Sequence, residues 1–434
     1  MSARLRSNSG TYKVRENEII HTKVEPPVKA VKCVIHFLDD TSHEIEVDRR
    51  SKAQVLLELV YDHLDLVEKD YFSLQYEDDT DGPEERMRWV DPLKSVKRQI
   101  KGGSPYHLYF RVKFYVTDPS KLQEEYTRYH FFLQIKKDIL DGKLACPPNV
   151  STLLGSYAVQ SELGDYSQEE HRSGYLNEFR LVPNQDKQYQ SEVMRFHQQH
   201  KGQTPADAEL NYLERAKHLE MYGVDLHNAK DSSGIDIQLG VTCDGVVVFK
   251  NNRKVDTFTW TRIIKISFKR KQFFIQTRGD SADQTETIIG FNMFTYRSCK
   301  ILWKSCVEYH SFFRLHHIKQ LPRKWYQLGS KFRYSGRTEY EAQQSSKRLA
   351  RSDKPFQRSS SSQLRHTISG TGFSNRNMYD RKSTTSYTPT SALNRSQPPK
   401  SALRNSFSAR WVVPVIHTMI VHPINGLFNV LMAI

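Results

Sequence analysis

The chain has 434 residues, 64 Lys or Arg against 49 Asp or Glu, a formal net charge of +15 and 38% hydrophobic content. At about 100–200 residues per domain this length allows roughly two to four domains, and the apolar fraction is enough for real cores, which excludes a wholly disordered chain. Cys33, Cys146, Cys243, Cys299 and Cys306 are odd in number and lack paired spacing, which argues against a disulfide framework or a zinc module and for a reducing compartment.

Residues 1–30 are polar and expected to be flexible; no apolar secretion signal opens them, and Ser2 stands where N-myristoylation requires glycine. The first apolar block covers residues 31–116. Val31 to Leu38 reads as a strand, Asp39-Asp40 as a turn and Glu44 to Val47 as the returning strand of a hairpin. Ser51 is placed to cap a helix with Val55, Leu56, Leu59, Val60 and Leu64 at helical spacing, and further strands follow at Tyr71 to Tyr76 and Tyr106 to Tyr115. Residues 117–223 are helical. Pro119 opens a helix with Leu122, Tyr126, Tyr129, Phe132, Ile135 and Ile139 on one face, ending near Gly142. Leu153 to Leu163 is stopped by Gly164, and segments around Val193-Met194 and from Pro205 to Tyr222 complete the bundle, the last ended by Gly223. Residues 224–318 return to strands at Ile235–Val241, Val246–Phe249, Ile263–Phe268, Phe273–Thr277 and Thr287–Phe291. They close with a helix bearing Cys299, Leu302, Trp303, Cys306, Val307, His310 and Phe313. After about residue 326 Ser, Thr, Arg, Asn and Gln take over without apolar periodicity, which predicts disorder.

The first block thus suggests a ubiquitin-like α+β unit, and the third a PH- or PTB-like sandwich. In that order around a helical block, they resemble the three-lobed cloverleaf of FERM domains, and particular segments carry the resemblance. These are Trp89-Val90-Asp91-Pro92, Gln123 to Tyr129, Val159 to Tyr166 and Leu219 to Val224. The chain is most similar to band 4.1-like proteins and to the FERM part of the cytosolic FERM–PDZ tyrosine phosphatases. Leu328 to Thr338 resembles their FERM-adjacent segment, expected over 326–370. The resemblance implies a multidomain α+β fold whose central lobe is an acyl-CoA-binding-protein-like bundle. It also implies an adaptor under the plasma membrane and at cell junctions, binding cytoplasmic tails of transmembrane proteins, phosphoinositide membrane and cortical cytoskeleton.

Catalytic patterns are missing from the sequence. A tyrosine phosphatase needs a low-pKa Cys with Arg six positions on, whereas Asp39, Thr152, Phe249, Ser305 and Phe312 occupy those positions here. No PDZ module is visible, so the alternative reading is a truncated isoform of such a phosphatase. Gly370-Thr371-Gly372 lacks a third glycine, no Walker sequence occurs, and His310, His316 and His317 have no ligand set at metal spacing. The chain is read as a non-enzyme without cofactor or metal.

Binding residues are clearer. An edge strand beside a helix can accept an extended peptide as an added strand. By resemblance, that groove would involve Ile263, Lys265 and Ile266 facing Lys300, Lys304, Val307 and His310. Lys269-Arg270-Lys271 forms a basic turn suited to a phosphoinositide headgroup. Ser352, Ser361 and Ser406 follow arginines as basophilic kinases require, and the resemblance adds Ser335 and Thr338 as phosphorylation candidates. Residues 326–410 carry 16 basic and 4 acidic residues, roughly +12 of the +15, but lack the interleaved aromatics of a nucleic-acid platform, so no nucleic-acid partner is expected. The stretch 371–410 is read as a disordered Ser/Arg-rich tail. Residues 411–434 contain no Asp, Glu, Lys or Arg and are apolar over about the ~20 residues that span a bilayer, though Pro414, Pro423, His417 and His422 oppose an inserted helix. An alternative exon end or readthrough sequence is preferred there to a tail anchor.

Overall fold

Three lobes are built on a shared aromatic centre. The structure, a computed structural model, describes residues 30–78, 87–172, 174–279, 286–318, 332–349 and 356–359. In lobe 1, β1 (Ala30–His36) and β2 (Ser42–Asp48) form the predicted hairpin. With β3 (Phe72–Glu77), β4 (Met87–Trp89) and β5 (Tyr106–Val112) they make a sheet ordered β2-β1-β5-β3-β4, with β1 and β5 parallel. Helix α1 (Ala53–His63) lies on it, and a short α2 (Val96–Gln99) follows β4. The ubiquitin-like reading of this lobe holds.

Ser51 does not cap α1. Lys52 occupies the N-cap, and the Ser51 hydroxyl instead donates to the Asp48 carbonyl at 2.7 Å. The free N–H groups of Ala53 and Gln54 are met by the carbonyls of Lys94 and Pro92, so a neighbouring loop does the capping. The buried stripe is Ala53, Leu56, Leu57, Val60 and Tyr61, leaving Val55 and Leu59 exposed.

Lobe 2 comprises α3 (Glu125–Leu140), α4 (Pro148–Leu163), α5 (Lys187–His197) and α6 (Pro205–Ala216). Pro119 starts only a 3-10 turn, Pro119–Lys121. The helix proper begins later because Glu68 of lobe 1, only 1% exposed, accepts from the N–H groups of Gln123 and Glu124 at 3.2 and 3.1 Å. A carboxylate there also faces the positive end of the helix dipole. α4 starts at Pro148, five residues before the predicted start. α6 stops at Ala216 and is followed by turns that end at Gly223. Gly223 has φ +64°, and a Cβ there would lie 2.6 Å from Tyr115 Cβ, so only glycine fits.

His130 of α3 is 3% exposed and sits edge-on to Phe72, Phe110 and Tyr126, with no hydrogen-bond partner for either ring nitrogen among the described residues. Burial pushes its imidazole down to about 4. The unfolded chain, titrating near the ordinary value of 6.5, therefore takes the proton first. The stability this neutral ring contributes is fully present above pH 6.5 and is lost as the pH falls from there toward 4. His130→Leu is expected to remove about 2 kcal/mol of the stability that the parent loses between roughly pH 7 and pH 5. Urea midpoints of both proteins at the two pH values check this, and equal losses would place the titrating group elsewhere.

Lobe 3 holds β6 (Asp225–Lys230), β7 (Asp236–Val241), β8 (Gly245–Lys250), β9 (Arg253–Thr259), β10 (Ile263–Lys269), β11 (Gln272–Arg278) and β12 (Glu286–Met293), ordered β10-β11-β12-β6-β7-β8-β9. β12 and β6 share only two residue pairs, so the sheet folds into two halves there. Helix α7 (Tyr296–Arg314) lies across β6, β7, β10, β11 and β12, opened by a Thr295–Ser298 capping box. It buries Cys299, Leu302, Cys306, Tyr309 and Phe312, with Trp303, Val307, His310 and Phe313 at the margin.

The expectation of disorder from about residue 326 fails for part of that stretch. Helix α8 (Glu339–Leu349) is present, capped by Thr338, whose hydroxyl accepts from the Glu341 N–H at 3.1 Å while the Glu341 carboxylate accepts from the Thr338 N–H at 3.0 Å. Arg337 holds it to Asp70 of lobe 1 at 2.7 Å. Polar capping and ion pairing order this stretch, which is why apolar periodicity gave no sign of it.

Candidate peptide-binding edge and its anchorage

β10 is an edge strand, paired with β11 on one side. Its register slips between Ile263 and Lys265, leaving Ile264 40% exposed at the irregularity. Lys265 is exposed and Ile266 half-buried, and the Trp303 indole N–H makes a long bond of 3.4 Å to the Ile266 carbonyl. Phe268 adds a ring 5.5 Å from Trp303, so the strand and the helix meet through an aromatic contact.

The predicted helix residues divide. Lys300 is exposed and Val307 half-buried. His310 is set edge-on against Trp260 at 5.5 Å, and burial together with Arg314 lowers its pKa. Lys304 is committed within the molecule. It reaches Asp91 of lobe 1 at 3.3 Å and Glu308 at 3.6 Å, and lies 4.8 Å over the ring of Phe332. Asp91 also meets Lys94 at 3.2 Å, and these lysines hold its carboxyl below the ordinary range against the effect of burial.

Lys269, Arg270 and Lys271 sit at the tip of the β10–β11 hairpin, all exposed, with Arg270 at φ 55° and no carboxylate partner among the described residues. Ser335 is exposed, whereas Thr338 is fully buried and its hydroxyl also donates to the His316 carbonyl at 2.8 Å. Ser352, Ser361 and Ser406 lie outside the described residues, as do residues 411–434.

Sequence reasoning missed what holds α7 in place. Lys113, between lobes 1 and 2, pairs with Glu308 at 2.8 Å, both nearly buried. Phe114 stacks on Phe312 at 4.2 Å, Tyr71 of lobe 1 meets Phe312 edge-on at 5.6 Å, and the Tyr309 hydroxyl donates to the Lys113 carbonyl at 3.0 Å. A lone Lys inside the apolar run Val112 to Val116 was the available signal.

Burial raises every thiol, Cys33 and Cys146 to about 11 and Cys243 and Cys299 to about 12, with Cys306 pushed up as well. A thiolate nucleophile requires the opposite shift. Among the described residues no group of three or more His, Cys, Asp or Glu could hold a metal ion, and no helix is long and apolar enough to cross a membrane.

Family profiles match in chain order: the FERM N-terminal domain over residues 35–102, the FERM central domain over 117–227, the FERM C-terminal PH-like domain over 231–321 and the FERM adjacent (FA) segment over 325–367. The chain is 50% identical over 372 residues to tyrosine-protein phosphatase non-receptor type 4 of Mus musculus, covering 84% of this chain and 39% of that protein. It is 45% identical over 347 residues to band 4.1-like protein 3 of Homo sapiens, covering 80% of this chain and 31% of that one. It therefore spans well under half the length of these curated relatives. A solved complex of the FERM and C-terminal domains of Drosophila Merlin matches with TM-score 0.57 and 27% identity over 64% of this chain and 95% of that chain. With three lobes of the right folds in the right order and an adjacent segment after them, the chain belongs to the FERM family, of the band 4.1 and FERM-bearing phosphatase type.

Proposed function

We propose that this chain is a non-enzymatic adaptor at the cytoplasmic face of the plasma membrane, joining the tails of transmembrane proteins and phosphoinositide membrane to the cortical cytoskeleton. One observation carries the reading: β10 is paired on one side, runs beside α7 with Lys265 and Lys300 both exposed, and ends in the basic tip Lys269–Lys271, which has no carboxylate partner among the described residues. An extended peptide adding to that edge gains main-chain hydrogen bonds, while its side chains enter the groove over Ile266 and Val307. The tip points cations at a leaflet from the same lobe.

Lys265→Glu with Lys300→Glu changes only exposed positions. Binding of cytoplasmic-tail peptides, followed by fluorescence anisotropy, is expected to weaken about tenfold or more with the urea midpoint unchanged. Undiminished binding would remove the groove assignment. Triple alanine substitution of Lys269, Arg270 and Lys271 is expected to cost about 1 kcal/mol per cation in partition to phosphoinositide vesicles, measured by co-sedimentation. Unaltered partition would make the tip ordinary solvated surface.

A second reading, a truncated isoform of a FERM–PDZ tyrosine phosphatase, is favoured by the 50% identity to a phosphatase of which the chain spans 39%. A transcript running past residue 410 into PDZ and phosphatase sequence would establish it.

A further inference from the structure

Residues 356–359 form neither helix nor strand, yet three of the four engage lobes 1 and 2. The ring of Phe356 lies 4.8 Å from Tyr126 and 5.3 Å from Tyr129 of α3. Arg358 places its guanidinium 4.7 Å from the Phe356 ring and donates to both oxygens of Glu209, Nε at 2.7 Å and Nη2 at 3.1 Å. Its Nη2 also reaches Glu125. The Ser359 N–H donates to the Tyr129 hydroxyl at 2.9 Å, and its own hydroxyl faces Asp39 of the β1–β2 turn at 3.4 Å.

The wall opposite these residues is built for a cation. Glu209 of α6 is 1% exposed, and apart from Arg358 it is met among the described residues only by the Ser161 hydroxyl at 2.7 Å. A carboxylate at that depth is costly unless a cation pairs with it. The bidentate geometry suits a guanidinium and not an ammonium, and the two tyrosines give an aromatic side chain two residues earlier its own seat. Charge complementarity is local: Glu125, Glu209 and Asp39 face one arginine and one serine.

We infer that this slot between α3, α6 and the β1–β2 turn is a peptide-recognition site for the pattern aromatic–x–Arg–Ser, and that its ligand is the chain's own Phe356–Ser359. The segment clasps the FERM-adjacent stretch across lobes 1 and 2, at a place separate from the β10 edge. Its effective concentration is high because α8, which ends seven residues before Phe356, is itself held to lobe 1 by Arg337 and Asp70.

The test supplies the segment in trans. A fluorescent peptide spanning residues 354–361 is titrated into the full chain carrying Phe356→Ala and Arg358→Ala, and into the unaltered chain. The vacated slot is expected to bind it, the filled one to bind it about thirtyfold or more weakly, and a peptide with Arg358→Ala to bind neither. In the unaltered chain, tryptic cleavage after Arg358 is expected to be slow and to rise about tenfold in saturating peptide, which needs no variant to fold. A folded double variant that ignores the peptide, or accepts the alanine peptide equally well, overturns the site. Concentration-dependent self-association of the unaltered chain, abolished by Arg358→Ala, overturns the cis assignment in favour of a second copy.

Discussion

Glu308→Ala is expected to cost about 3–5 kcal/mol of unfolding free energy. Lys113 and Glu308 are about one-tenth exposed in their side chains and meet at 2.8 Å where lobe 3 docks on the strand leaving lobe 1. Removing the carboxylate leaves the Lys113 ammonium nearly buried, with the rings of Trp89 and Phe114 at 5.6 and 5.2 Å contributing about 1–2 kcal/mol and Asp225 as a remaining charge partner. Lys304 fares better, because it keeps Asp91 at 3.3 Å. Lys113→Met added to Glu308→Ala removes the stranded charge, so that double variant is expected to be more stable than Glu308→Ala alone. A double-mutant cycle in urea at neutral pH measures this. If each single change costs less than about 1 kcal/mol, water reaches the pair and it behaves as a surface bridge.

The same interface shows where sequence reading succeeds. Elements with strong apolar patterning were legible: β8 and β11 were located to within one residue at each end, while the expected strands at β1 and β5 ran two and three residues past the observed C-terminal ends. β6 and β9 were missed because Asp225–Lys230 is mostly polar and Arg253–Thr259 is an edge strand exposed over its first four residues. α8 was missed because its capping box and ion pair are local polar features with no period. At the candidate site, the β10 edge and the basic tip followed from pattern and resemblance; Lys265, Lys300 and the tip residues are exposed, Ile263, Ile266, Val307 and His310 are half-buried, and Lys304 is engaged within the molecule. Its engagement with Asp91 joins positions more than 200 residues apart, and no spacing rule reaches that far. The slot filled by Phe356–Ser359 is of the same kind. Its acidic members, Asp39, Glu125 and Glu209, come from three separate stretches, and the fold alone makes them neighbours.

Phe312→Ala is expected to cost about 3–5 kcal/mol, and its effect should reach beyond its own lobe. The ring is fully buried on α7 but belongs to three elements at once: stacked on Phe114 at 4.2 Å, edge-on to Tyr71 of lobe 1 at 5.6 Å and to Phe313 at 4.9 Å. Truncation opens a cavity bounded by rings from different lobes, which cannot collapse without sliding one lobe on another. The urea transition is therefore expected to broaden as well as shift, because the lobes lose part of the contact that couples them. Phe312→Leu keeps most of the volume and should lose roughly half as much, while Lys300→Ala, exposed on the same helix, should stay within about 0.5 kcal/mol of the parent. A loss in Phe312→Ala with an unchanged slope would confine the damage to lobe 3. A loss with a lower slope ties the groove helix to lobe 1, so that the wall presented to a peptide is only as rigid as the docking behind it.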